Sequence, residues 1–149
     1  MGSVLFTQLG LGTVTVAVTV LTHLLGLSGL IALMRLHTQR LMTAQARFNQ
    51  AAILVGAAFG LFALHTLEIW GYAALYWVLK AVPTFEEALY FSTVTYATIG
   101  FGDLILPRTW RILGAIEGVN GVILLGWSTA FFVSVVSQIR ALEHDWVAR

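Results

Sequence analysis

The sequence predicts a small all-α membrane protein, and three observations carry that prediction. The 149 residues are 58% hydrophobic and 10% charged, with a mean hydropathy of +0.86. Soluble domains run near 45–50% apolar and about 25% charged. The eight Lys and Arg and seven Asp and Glu are clustered, which leaves uncharged runs at 11–34, 51–67 and 118–139. A chain with this balance has lipid as its solvent, and the membrane lipids are its first expected partner. The absence of cysteine excludes disulfides, thiolate metal sites and a cysteine nucleophile. A net charge of +1 gives no support to nucleic-acid binding.

A spanning helix needs about 20 apolar residues to cross roughly 30 Å of hydrocarbon. The first is expected over about 11–34. It is too long for the apolar part of a signal peptide, has no basic residue before it and ends without a small-residue cleavage site. His23 stands alone on it and is expected to pack rather than bind. The second is expected over about 51–79. Trp70, Tyr72, Tyr76 and Trp77 in its second half fit an interfacial aromatic belt or packing on a neighbouring helix. His65 and Glu68 form an intramembrane polar pair on one face of this helix. They fit a satisfied contact to a neighbouring helix or a pH-sensitive element. The third span is expected over about 112–139, with Glu117 near its outer end, close to the headgroups.

Arg35, Arg40 and Arg47 lie in the 35–47 connection, and Arg140 and Arg149 in the tail. Lys80, Arg108 and Arg111 in the 80–111 segment are offset by Glu86, Glu87 and Asp103. The excess of basic residues places the 35–47 loop and the C-terminus in the cytoplasm, and the N-terminus outside, in a multi-pass protein of the cell membrane.

The 80–111 segment holds the only two prolines, Pro83 and Pro107. Thr84 and Glu87 have the spacing of a capping box, and Glu86 and Glu87 suit a helix N-terminus. A short helix is expected over about 85–97, too short to span and therefore re-entrant. Gly100 and Gly102 then flank Phe101 and break the helix. Irregular backbone at membrane depth must be buried in protein or line a water-filled path. Extended backbone, two glycines, the Thr98 hydroxyl and the negative end of a helix dipole together describe a cation site.

Thr98-Ile99-Gly100-Phe101-Gly102-Asp103 resembles the selectivity filter of potassium channels, T-V-G-Y-G, with conservative changes. The longer run A-L-Y-F-S-T-V-T-Y-A-T-I-G-F-G-D is similar to the bacterial two-span channels of that family, and the likeness covers about 51–139. The resemblance implies a potassium-channel-type pore domain of outer helix, pore helix, filter loop and inner helix, here preceded by one extra transmembrane helix. It assigns potassium-binding carbonyls to Thr98, Ile99, Gly100 and Phe101, with Gly102 at the outer mouth. The side chains of Ile99 and Phe101 face away and pack. Asp103 supports the filter, with Tyr90 as its hydroxyl donor. Ala97, Phe101 and Val94 depart from common family choices, and the scaffold behind the filter is expected to be more apolar than in some relatives.

The inner helix is expected to line a cavity. Gly126, Ala130, Ser134 and Gln138 recur every four residues as a small, increasingly polar row, suited to such a cavity or to close helix packing. Gly118 and Gly121 lie where the family has a flexible glycine. Glu68 is expected to face the pore domain, with pore-helix hydroxyls or His65 as partners.

The expected organisation is an N-terminal helix and loop over 1–50, a pore domain over 51–140 and a cytoplasmic tail over 141–149. The implied function is passive potassium-selective conduction by a homotetramer, because one filter loop supplies a quarter of the ligands. The alternatives are a weakly selective monovalent cation channel and a non-conducting membrane scaffold with the same fold. No enzyme constellation, zinc-type histidine spacing, haem motif, nucleotide fingerprint, arginine-periodic voltage sensor or attached regulatory domain is expected, and no cofactor beyond the permeant K+.

Overall fold

The computed structural model describes residues 2–40 and 46–147, with side chains over 2–36 and 50–139. It consists of α1 (Gly2–Arg40), α2 (Ala46–Val78), α3 (Phe85–Tyr96) and α4 (Arg111–Val147). No strand occurs among the described residues. Among the described residues three helices are long and apolar enough to cross a membrane, over Gly2–Leu36, Gln50–Val78 and Arg111–Ile139.

The second and third spans agree with the expected bounds to within a residue. The first is longer than expected at both ends, because nothing in 2–10 or 35–40 interrupts a helical backbone. The connection expected over 35–47 is helical to Arg40 and again from Ala46, and residues 41–45 lie outside the described residues. Helix α4 likewise continues through Val147, so most of the expected 141–149 tail is helical, with 148–149 outside the described residues.

Close approaches fix the helix directions. Gly26 faces Leu64 and Gly60 faces Leu30, so residue numbers rise on α1 as they fall on α2, and the two are antiparallel. Gly12 faces Ile116, and Gln8 and Thr19 bond to Ile112 and Asn120, so α1 runs parallel to α4. Lipid offers no hydrophobic drive for helix pairing, and glycines that let side chains of the next helix approach the backbone supply dispersion contact instead.

Helix α3 sits between α2 and α4. Tyr72, Tyr76, Ala88, Tyr96, Leu106, Leu113 and Leu124 form the main core around it. The aromatic residues of α2 divide by depth: Tyr72 and Tyr76 are fully buried, while Trp70 and Trp77 are about half exposed and edge onto Phe85. The packing expected of these aromatic residues is present on this helix. The α4 backbone passes Gly118 and Gly121 as continuous helix. Gly121 serves close approach rather than bending: a Cβ there would overlap the backbone carbonyl of Tyr96.

Candidate functional site

The site begins with how α3 starts and stops. Thr84 Oγ1 accepts from the Glu87 amide at 3.2 Å, and Glu87 Oε2 accepts from the Thr84 amide at 3.2 Å, a reciprocal capping box. At the other end the Thr98 amide donates to the Thr95 carbonyl at 3.0 Å and the Ile99 amide to the Val94 carbonyl at 2.8 Å. That pair of bonds is a Schellman motif, whose left-handed position normally belongs to glycine. Here Thr98 holds it, at φ 58°. A β-branched residue in that region is strained by an amount of order 1–3 kcal/mol.

Beyond Thr98 the backbone alternates. Gly100 and Gly102 have φ of 57° and 80°, and Ile99 and Phe101 between them do not have positive φ. The Gly100 amide returns to the Val94 carbonyl at 3.1 Å, so one carbonyl of α3 anchors two successive amides of the loop. Residues 97–103 are exposed on the single chain, including the apolar side chains of Ile99 and Phe101 at 52% and 69%.

At the far end of the loop the Tyr90 hydroxyl donates to Asp103 Oδ2 at 2.7 Å, and the Leu104 amide donates to Oδ1 at 3.0 Å. The Tyr90 hydroxyl holds the Asp103 carboxyl below the usual carboxylate range, and the same bond pushes the Tyr90 phenol up.

Two carboxylates stand behind this loop. Glu68 is buried, as expected of a group facing the pore domain. It accepts from the Tyr96 hydroxyl and lies 3.1 Å from His65 Nδ1. A third partner was not legible: His23 Nδ1 lies 2.9 Å from Glu68 Oε1, and both side chains are 0% exposed. His23 therefore packs as expected and also makes a buried polar contact to Glu68. Ser128 Oγ completes the group, 2.9 Å from His65 Nε2 and 3.3 Å from His23 Nε2.

Glu117 is the second carboxylate. It lies in the first two turns of α4, toward the end expected for it, and is buried, with α3 and α2 side chains as partners. Tyr76 donates to its Oε2 at 2.7 Å, and the Ser92 hydroxyl is within donating distance of both its Oε1 and the Ile69 carbonyl, the latter at 2.9 Å. Two further polar contacts join α1 to α4. Asn120 Nδ2 donates to Thr19 Oγ1 at 2.7 Å and to the Tyr72 hydroxyl at 3.1 Å. Gln8 Oε1 accepts the Ile112 amide at 2.9 Å, one of the orphan donors in the first turn of α4. No buried side-chain polar atom among the described residues lacks a partner.

Gly126, Ala130, Ser134 and Gln138 form one exposed row on α4. The sequence signals for the residues missed were weak: polar side chains at Gln8, Thr19, His23, Glu117 and Asn120 on otherwise apolar helices, where burial with a partner is the rule for a polar group.

A family model described as ion channel matches residues 62–138, which runs from α2 through α3 and the glycine loop to α4. No curated protein and no solved structure matches the chain.

Proposed function

Because the chain belongs to the ion-channel family, we propose that it is a potassium-selective channel in which four copies surround one pore. The observation that carries this reading is the alternation of positive φ at Thr98, Gly100 and Gly102 directly after a capped helix end. A backbone alternating between left- and right-handed conformations turns successive amides to one side and successive carbonyls to the other. Carbonyls of Thr98, Ile99, Gly100 and Phe101 facing a common axis replace the hydration shell of K+, with the Thr98 hydroxyl at the innermost position and Gly102 at the mouth. The negative end of the α3 dipole adds to that field.

One loop offers too few oxygens to enclose an ion, so the filter needs copies of the chain. Exposure of Ile99 and Phe101 supports this, since neighbouring subunits then cover them. The tie between Tyr90 and Asp103 braces the outer end of the loop. The exposed row Gly126, Ala130, Ser134 and Gln138 lines the cavity beneath it. Basic residues place the C-terminus in the cytoplasm and the N-terminus outside. The chain performs no chemistry and needs no cofactor; lipids are its other partners.

Purified protein in planar bilayers, with K+ on one side and Na+ on the other, tests the reading. A reversal potential near the K+ equilibrium value is expected, and Gly100→Ala, which forces a Cβ onto a φ of 57°, removes it. A reversal potential near zero identifies a weakly selective cation channel, and absence of current in a correctly inserted protein identifies a scaffold.

A further inference from the structure

We propose that His23, His65 and Glu68 form a binding site for one divalent transition-metal ion of the zinc class, and that the ion ties α1 to α2. The three side chains offer ligand atoms that all lie within 4.8 Å of one another. His65 and Glu68 are three residues apart on α2 and share a face. Antiparallel α1 brings His23 against that face, 45 residues from Glu68 in sequence. The site thus arises from helix packing and not from a local histidine motif.

Both imidazoles present the same atom to the carboxylate. His23 Nδ1 lies 2.9 Å from Glu68 Oε1, and His65 Nδ1 lies 3.1 Å from Oε2. Ligands at about 2.0–2.1 Å from a tetrahedral zinc stand about 3.3 Å apart. The observed separations are within a few tenths of an ångström of that value. Two imidazoles and a carboxylate are a donor set for zinc and its first-row neighbours, whereas calcium and magnesium take oxygen.

The other ring nitrogens meet the second requirement of such a site. A ligating imidazole donates its remaining N–H to an outer acceptor. Ser128 Oγ lies 2.9 Å from His65 Nε2 and 3.3 Å from His23 Nε2, and its two lone pairs accept from both. Three protein ligands leave a fourth position. The Tyr96 oxygen, 3.0 Å from His65 Nδ1 and bonded to Glu68 Oε2, stands beside it. The Trp127 ring flanks His23, with centroids 5.5 Å apart, and adds an apolar wall.

Metal-free, the same atoms satisfy one another, with the Tyr96 hydroxyl in reach of both His65 and Glu68. The site therefore forms with the fold and does not wait for an ion. Glu68 brings negative charge to a buried dication, and among the described residues no Lys or Arg bonds to the group. The His65 side chain is 13% exposed while those of His23 and Glu68 are 0% exposed, so entry is from the His65 side.

An ion here bridges two helices that otherwise meet through glycine and leucine contacts. It also holds the carboxylate bonded to Tyr96, the last residue of α3 and two residues before Thr98. Metal binding does not require conduction, so this reading and the channel reading fail separately.

The test uses the full-length protein without a histidine tag, in lipid nanodiscs, stripped with chelator and titrated with Zn2+. The wild type is expected to bind one Zn2+ per chain at micromolar concentration or below, and to melt several degrees higher with it. H37Q/H144Q, which removes the other two of the four histidines, is expected to bind as the wild type does. S128A keeps the three ligands and is expected to bind about 10- to 100-fold more weakly, and H23Q and E68Q, which each remove a ligand, more weakly still. Co2+ in the wild type needs no variant: X-ray absorption is expected to show two imidazole nitrogens on the ion. Less than one Zn2+ per chain, loss of binding in H37Q/H144Q, unchanged affinity in H23Q, E68Q or S128A, or an absorption spectrum without two imidazoles overturns the proposal.

Discussion

Gly121 of α4 lies so close to Tyr96 of α3 that a single added carbon would overlap the Tyr96 carbonyl. The contact is backbone against backbone, with no flexible side chain to move aside. Gly118, one turn earlier, lies at ordinary distance, since a Cβ there would be 3.6 Å from the Thr95 carbonyl. G121A is therefore expected to destabilise the fold by about 1–3 kcal/mol, the usual cost of overpacking. G118A is expected to be nearly neutral. Thermal melting of the two variants side by side checks the difference.

Thr98 should show stability and function moving in opposite directions. Its φ of 58° suits glycine, so T98G relieves strain and is expected to stabilise the end of α3 by about 1 kcal/mol. The same change deletes the hydroxyl proposed for the innermost ion position and is expected, on that proposal, to reduce K+ current. Melting and bilayer recording on one preparation read both effects.

The Tyr90–Asp103 bond predicts an acid limb. A carboxyl held below its ordinary value contributes stability that is fully present above the unfolded value and is lost as pH falls through the folded one. Y90F removes the hydroxyl and is expected to move that loss up toward the ordinary carboxylate range. Conductance recorded from neutral to acidic pH gives the midpoint for each form. Coincident midpoints would show that Tyr90 does not set it.

Glu117 is expected to tolerate amidation. Ser92 has one proton and faces both the Ile69 carbonyl and Glu117 Oε1, so a donor at position 117 completes the set while Tyr76 donates to the other oxygen. E117Q supplies that donor and should melt close to the wild type. E117L leaves the buried Tyr76 hydroxyl without its acceptor, at about 1–3 kcal/mol, while Ser92 keeps its bond to the Ile69 carbonyl.

What could be read from sequence follows the range of each interaction. The capping box of Thr84 and Glu87 and the glycine loop are local, and their residue types state their geometry. The pairing of His65 with Glu68 was legible because three residues on a helix share a face. The role of Gln8, Thr19 and His23 was not, since their partners Ile112, Asn120 and Glu68 lie 104, 101 and 45 residues away. A lone polar residue in an apolar helix signals a partner without naming it. The distance of Glu117 from the helix end is legible, but its burial against Ser92 and Tyr76 follows from the packing of α3 and α2 on α4. The length of α1 was underestimated because an apolar run marks the part in lipid, and a helix continues until its backbone is interrupted.

The first helix meets most of its polar partners on the last. During synthesis Gln8, Thr19 and His23 enter the bilayer well before α4 leaves the ribosome, and α2 then offers Glu68 alone among the partners found for these side chains. Until α4 inserts, Gln8 lacks its Ile112 partner, while Thr19 bonds back to the Thr15 and Val16 carbonyls of its own helix. Arrival of α4 thus completes α1 as well as the pore, so biogenesis of this chain closes on a single late step, and an insertion failure at α4 leaves a two-helix intermediate with unsatisfied polar groups that quality-control proteases in the membrane can recognise.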